Sequence, residues 1–388
     1  MIALLALLVQ VQSPESFTQF LARLRQTPVH ERAAIARVYL DGKMTPLIES
    51  DTVAHFVHFG MASTVLINGD LQNGWSRPDT MTSIPCGETA FFHWSATVPR
   101  DTRADYQFIV DGQTITDPRN PRVTPSGYGP HSELAMPGFR SSKWLAERPD
   151  VARGSFDTLR WIPSDTTIRP RNVVVYRPAG YEKLSKLTSV YVHDGPEAND
   201  FGRMSVVLDN LVAAKRIPPV LAILIPPVER QDEYVWSKYR QYRSAVCDDL
   251  VPLIDRQYRT AKDPKRRGMM GISNGGHISL VTVMRRTDLF LNVAGQSSTI
   301  TPQLLEATDA GLGKGIPKGL RVYTDVGVYD LAGQGDPTFS FLNTNRLYRE
   351  ELRRRHVVHR YREFNDGHAW ANWRERTAEI LEFWWGLK

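Results

Sequence analysis

The residues with the sharpest chemical signature are Gly271-Ile272-Ser273-Asn274-Gly275-Gly276. A serine with glycine two positions away on either side is the pattern of a nucleophile elbow, where a strand turns abruptly into a helix. The reversal is so tight that side chains at those two flanking positions would collide, and glycine removes both. The serine hydroxyl then stands clear of the backbone, at the positive end of the helix. A hydroxyl becomes a nucleophile near neutral pH only when a base takes its proton. In folds with such an elbow, an acid and a histidine follow the serine in that chain order. Asn365-Asp366-Gly367-His368 lies between an expected last strand and an expected last helix, which makes His368 the expected base. His356 and His359, in a helix end and a strand start, fit less well. The acid belongs on the loop after the penultimate strand, where Thr324-Asp325-Val326-Gly327-Val328-Tyr329-Asp330 offers two carboxylates. Asp330, further out on the loop, is the expected partner of His368, with Asp325 and Asp336 as alternatives. The chemistry of such a set is acyl transfer through serine.

The tetrahedral oxyanion of that reaction needs two donors. One is the backbone N–H of Asn274. The other is expected in Val192-His193-Asp194-Gly195-Pro196-Glu197, where Pro196 has no N–H, so Gly195 or Glu197 must donate, with Gly195 the first choice. Arg230, following an expected strand at Val220–Ile225, is a candidate for substrate oxygens, against the plainer reading of a local salt bridge. Trp370 and Trp373 could wall an acyl or aromatic pocket, and Trp75 and Trp94 could stack on a sugar, each against a reading as core packing. The ten histidines form no His-Glu-x-x-His pattern, and no phosphate-binding glycine loop occurs, so neither metal nor cofactor is expected.

A sheet must bring these residues together. From residue 166 onward strands and helices alternate: Asn172–Tyr176, Ser189–Val192, Val220–Ile225, Arg267–Gly271, Leu291–Gly295, Leu320–Asp325 and Val358–Phe364 read as strands. Met204, Leu208, Leu211 and Val212 share a helix face, Cys247–Tyr258 is helical, and Thr377, Leu381, Trp384 and Trp385 line a closing helix. That rhythm predicts a mostly parallel central sheet between helices, an α/β fold over 166–388. Residues 46–140 are different. Short runs at Val53–Phe59, Thr64–Ile67, Ala90–Val98 and Asp105–Val110, punctuated by Asn-Gly and Asp-Gly turns, predict an all-β sandwich. Residues 14–45 are expected to be helical, with Phe17, Phe20, Leu21 and Leu24 on one face and Ser13 as the cap; 141–165 reads as a linker. The apolar run Met1–Val9 suggests an export signal over 1–13, hence a periplasmic or secreted protein, with a cytoplasmic one as the alternative.

Composition narrows the classes. The 388 residues, 41% hydrophobic and 23% charged, suit two soluble domains. No apolar run reaches 18 residues, so no membrane span is expected. A net charge of +6, spread along the chain, argues against a nucleic-acid partner. Cys86 and Cys247 are the only cysteines and fall in different expected domains, which excludes a disulfide framework.

Taken together, these residues resemble the esterase family that includes enterochelin esterases, feruloyl esterases and mycolyltransferases, with the enterochelin-esterase-like branch nearest. The resemblance spans about residues 50–385 and rests on Val175 through Tyr181, His193-Asp194-Gly195, Arg230 through Tyr234, Gly271 through Gly276, Val326 through Asp330, and Gly367-His368-Ala369-Trp370. Phe108 through Gly112 and Asp117 through Pro121 are similar to the immunoglobulin-like N-terminal module of that branch, and to glycogen-binding-type modules. The resemblance implies an α/β-hydrolase domain behind an immunoglobulin-like sandwich, a Ser273–Asp330–His368 triad and no metal. It implies hydrolysis of a carboxylic ester, first a siderophore ester such as enterochelin, and second a feruloyl or acetyl ester on polysaccharide. Asp330 stands where some relatives carry Glu, Ala369 where Asp is common, and Pro196 makes the oxyanion loop unusual. An acyltransferase is a rival within the same chemistry. A non-catalytic glycan-binding protein of the same shape is the rival from another class.

Overall fold

In a computed structural model, which describes residues 15–313, 315–333, 335–336 and 338–387, the first described elements are two helices rather than one. They span Phe17–Gln26 and Val29–Leu40. Pro28 causes the break: it has no N–H to give, and it forces Thr27 into an extended conformation at ψ 142°. The first helix is capped by Ser16, not Ser13. The Ser16 hydroxyl accepts from the Gln19 N–H at 3.2 Å, and the Gln19 amide oxygen accepts from the Ser16 N–H at 2.9 Å. The stretch expected as an export signal, 1–13, lies outside the described residues. Phe17, Phe20, Leu21 and Leu24 pack with Ala36 and Leu40 onto Val57, Ile84, Cys86 and Phe91.

Those last four residues belong to a four-stranded antiparallel sheet ordered Leu47–Ile48, Val53–Gly60, Thr89–Thr97, Thr82–Cys86. Its other face shares a core with a second antiparallel sheet ordered Asp79–Thr80, Val65–Gly69, Arg103–Val110, His131–Ala135, Val123–Thr124. Phe56, Phe92 and Ala54 from the first sheet meet Val65, Ile67, Tyr106, Phe108 and Leu134 from the second. Tyr329, from far along the chain, packs against this same core.

The third sheet has eight strands: β1 (Ser155–Trp161), β2 (Arg171–Arg177), β3 (Thr188–His193), β4 (Val220–Ile225), β5 (Arg267–Ile272), β6 (Asn292–Gln296), β7 (Arg321–Gly327) and β8 (His359–Phe364). Their spatial order is β1-β2-β4-β3-β5-β6-β7-β8. β2 runs antiparallel to both neighbours, and β4, β3, β5, β6, β7 and β8 are mutually parallel. β1 is a correction to the expected linker over 141–165. It pairs with β2 over its whole length, from Ser155↔Arg177 to Trp161↔Arg171. It is an edge strand with one solvated face, so its sequence lacks the apolar run that marks the inner strands.

Strand alternation divides the core between the two faces of the sheet. Tyr191, Met269, Val293 and Val322 pack with Ile278 and Val281 on one side. Val190, Val192, Met270, Ala294 and Tyr323 pack with Leu208, Leu211, Leu381 and Trp384 on the other. With both faces covered, every residue of β3, β4, β5 and β6 is buried. The expected helix at Cys247–Tyr258 is a longer stretch in three parts: Tyr239–Ala245, a π-helical turn at Val246–Leu250, and Val251–Gln257. β8 forms the far edge, where Glu363 pairs with Arg346 at 2.6 Å and Arg362 with Glu379 at 3.1 Å. Both cysteines are free and buried. Among the described residues no helix is long and apolar enough to cross a membrane.

Candidate active site

The parallel strands deliver their following loops to one edge of the sheet, and the candidate residues sit on those loops. β5 ends at Ile272 and a helix runs from Ser273 to Arg285 with no intervening loop. Ser273 has φ +53°, a left-handed conformation that a residue with a Cβ avoids. The glycines around it are required sterically. A Cβ on Gly271 would overlap the Gly275 backbone, and one on Gly275 would come within 2.7 Å of the Asp194 carboxylate. The Ser273 hydroxyl makes no hydrogen bond among the described residues, and Ser273 is only partly buried.

β3 and β5 are neighbours, so Gly195, just past the end of β3, and Asn274, just past β5, emerge side by side at the same edge. Gly195 opens a short helix, Gly195–Asp200, and presses on the backbone of Leu224 and Ile225 so closely that no Cβ would fit. The Asn274 side chain is tied down by Gln231 and by the Thr299 hydroxyl, which donates to it at 2.5 Å.

Two strands further along, the loop after β7 carries Asp330 and the loop after β8 carries His368. They meet: Asp330 Oδ1 lies 2.6 Å from His368 Nδ1. Oδ1 also accepts from the Leu331 N–H at 2.7 Å, and Oδ2 from the Gly327 N–H at 3.3 Å. The Asp330 side chain is fully buried. Burial opposes its ionisation. The adjoining His368 imidazole outweighs it, with help from the Ser297 hydroxyl and the Leu331 N–H, and holds the carboxyl below the usual carboxylate range. Phe341 and Trp373 meet the His368 ring edge-on at 5.1 and 4.8 Å.

The alternative residues lie elsewhere. Asp325, within β7, accepts from the Gln296 amide at 3.1 Å and stands 3.7 Å from Arg376. Burial pushes its carboxyl up to about 6. Asp336 caps its own turn through the Thr338 N–H at 2.8 Å. His359, at the start of β8, sits at the opposite end of the sheet and bonds to the Thr324 hydroxyl at 2.8 Å. His356 is exposed.

Arg230 is engaged in structure: its Nε and Nη2 grip both oxygens of the buried Asp194 at 2.8 Å each. Trp370 is buried and donates its indole N–H to Glu197 at 2.8 Å. Trp75 donates inward to Asp70 at 2.7 Å, and half-buried Trp94 leans on Phe56 at 5.4 Å. Sequence reasoning missed Asp70, Arg103 and Asn372, which hold the candidate loops, and offered Glu197 only as a backbone donor, whereas its carboxylate accepts from Trp370. Arg103 lies 269 positions from its partner Asn372, and no local pattern announces such a pair. A larger cavity of about 810 Å³, between the first helix and residues 120–137, lies apart from these loops, and none of the candidate residues lines it. Among the described residues no cluster of His, Cys, Asp and Glu could hold a metal ion.

A partly buried serine hydroxyl at a helix start, with a carboxylate–imidazole pair on loops at the same sheet edge, is suited to acyl transfer. Residues 164–383 match the family described as "Putative esterase". The chain belongs to that family. It is a carboxylic ester hydrolase. The esterase is 25% identical over 217 residues to the uncharacterized protein YjcH of Bacillus subtilis, covering 54% of this chain and 89% of that one. It is 24% identical over 201 residues to an endo-1,4-beta-xylanase/feruloyl esterase of Xylanibacter ruminicola, 48% of this chain and 27% of that longer protein. Its fold is similar to that of ferric enterobactin esterase from Salmonella typhimurium. The TM-score is 0.72 at 18% identity, over 90% of this chain and 98% of the other. It is also similar in fold to a ferulic acid esterase from Anaeromyces mucronatus, with a TM-score of 0.51 at 18% identity, over 62% of this chain and 93% of that one.

Proposed function

We propose that this esterase works through an acyl-enzyme on Ser273, with Asp330 and His368 completing a triad. The observation that carries the reading is the 2.6 Å contact between Asp330 and His368, on loops at the same edge of the sheet as the strained Ser273 turn. His368 takes the Ser273 proton as the hydroxyl attacks the ester carbonyl, while Asp330 fixes the imidazole tautomer and stabilises its charged form. The oxyanion rests on the N–H groups of Asn274 and Gly195. His368 then protonates the leaving alcohol, and water releases the acyl group by the reverse sequence. Ser273→Ala is expected to leave the fold intact, abolish labelling by a fluorophosphonate and remove turnover of p-nitrophenyl acetate. Turnover near the wild-type rate in that variant refutes the assignment.

For the substrate, we propose a siderophore ester of the enterochelin type. The support is that the similarity to an enterobactin esterase runs along 90% of this chain, whereas that to the ferulic acid esterase covers 62%. The double-sheet module is here proposed to be immunoglobulin-like. The second reading, a feruloyl or acetyl ester on polysaccharide, is favoured by the feruloyl esterase relative. Hydrolysis of enterochelin, methyl ferulate and acetylated xylan side by side separates them. Efficient turnover of enterochelin alone supports the first, and of either other ester alone the second.

A further inference from the structure

The loops that carry Asp330 and His368 are both clamped by the N-terminal module. Gly74 of the module lies against the Asp330 backbone so closely that a Cβ on it would overlap the Asp330 carbonyl. Tyr329, next to Asp330, is packed against the module core, and its N–H donates to the Asp366 carbonyl at 2.9 Å, joining the two loops. Gly367, next to His368, lies flush on the Asp70 carboxyl, with no room for a Cβ. Asp70 is held rigidly for this contact. It accepts from the Trp75 indole at 2.7 Å and from the Asp105 N–H at 2.8 Å. Burial, and then the charge of Asp105, raise its carboxyl well above the usual range.

Arg103 makes the second clamp. It is 1% exposed, pairs with Asp105 at 2.6 Å and donates to Glu133 at 3.1 Å. Its remaining Nη1 crosses to the Asn372 side-chain oxygen at 2.9 Å. The Asn372 amide in turn donates to the Gly367 carbonyl at 2.9 Å. Arg103 also donates its backbone N–H to the Asn365 carbonyl at 3.1 Å, and the Asn365 side chain reaches Asp101 at 2.8 Å. A buried cation spends one of its donors on the loop that bears the imidazole, when two carboxylates of its own module are already in reach.

We propose that the module is a working part of the active site, with Arg103 and Asp70 as positioning residues that fix His368 against Asp330 through Asn372 and Gly367. This rests on the triad reading above. A misplacement of a catalytic group by about 1 Å can cost about a hundredfold in rate. The full-length variants Arg103→Met, Asn372→Leu and the double variant are compared with wild type and with Ser273→Ala on p-nitrophenyl acetate, after circular dichroism and a thermal melt establish folding. Each single variant is expected to lose about ten- to a hundredfold in kcat with KM within about twofold. Because both sit on one chain of contacts, the double variant loses no more than the worse single. If Arg103→Met does not fold, Asn372→Leu, altered on the catalytic side only, decides. A folded Asn372→Leu with kcat within threefold of wild type overturns the inference, as do losses confined to KM or multiplying fully in the double variant. If those variants are unaffected while Ser273→Ala is dead, the positioning role alone fails. If Ser273→Ala is active, the triad reading itself fails.

Discussion

Replacing Asp330 by Asn probes the acid of the candidate triad with almost no change in shape. In the wild type a fully buried carboxylate presents one oxygen to both His368 Nδ1, at 2.6 Å, and the Leu331 N–H, at 2.7 Å. An amide cannot satisfy both partners in its two orientations equally. With its oxygen toward His368, its NH2 faces the Gly327 N–H, donor against donor. With its NH2 toward His368, the imidazole must carry its proton on Nε2 and cannot take one from Ser273. In either case the imidazolium loses a buried anionic partner. The same exchange in serine proteases costs about 10⁴ in kcat, or about 5.5 kcal/mol at about 1.4 kcal/mol per tenfold. Asp330→Asn is therefore expected to lose about three to four decades in kcat on p-nitrophenyl acetate, with its circular dichroism spectrum unchanged. Asp325→Asn is the control, because the Asp325 carboxyl faces Gln296 and Arg376 and makes no hydrogen bond to His368. It should stay within about tenfold of wild type. The reverse ranking would refute Asp330 as the acid.

Two other outcomes follow from charges near the site. Asp366 is pushed up to about 7 from 3.8, chiefly by burial, despite its pairing with Arg376. Between those values the folded protein binds more protons at this group than the unfolded chain, so its contribution to stability falls as pH rises from about 4 to about 7. Asp366→Asn removes that slope: its stability relative to wild type, from denaturant melts, should rise across the window by up to about 4 kcal/mol, and a flat or falling difference contradicts the burial argument. Arg230→Met strands the buried Asp194 carboxylate, at a cost of about 3 kcal/mol or somewhat less given the partly exposed guanidinium. The expected result is a lowered melting temperature, whereas an unchanged melt with a raised KM would mean that Arg230 mainly serves the substrate.

The parts of this molecule that were legible in the sequence are those whose physical cause is local. The Gly271–Gly275 spacing answers a steric clash within five residues, and the apolar run of β4 answers burial on both faces. The choice between Asp325 and Asp330 was legible only as a preference, since it depends on where the loop after β7 turns relative to the loop after β8. The helix break at Pro28 had a local cause that the apolar periodicity of Phe17 through Leu24 masked. β1 reads as linker in the sequence because an edge strand has half the apolar demand of an inner one. The clamp of Arg103 on Asn372 was not legible at all, since each residue alone is an ordinary polar side chain in an ordinary element.

The β8 rim of the eight-stranded sheet bears on how copies of this molecule can meet. A strand with a bare outer rim invites another chain to add on to it. At β8, Arg360, Arg362 and Glu363 crowd that rim, and their pairings with Glu379 and Arg346 hold charge there. A second molecule docking strand to strand would have to strip water and counter-partners from those groups before forming a single ladder hydrogen bond. Any self-association of this protein at high concentration should therefore not proceed by growth of a continuous sheet through β8.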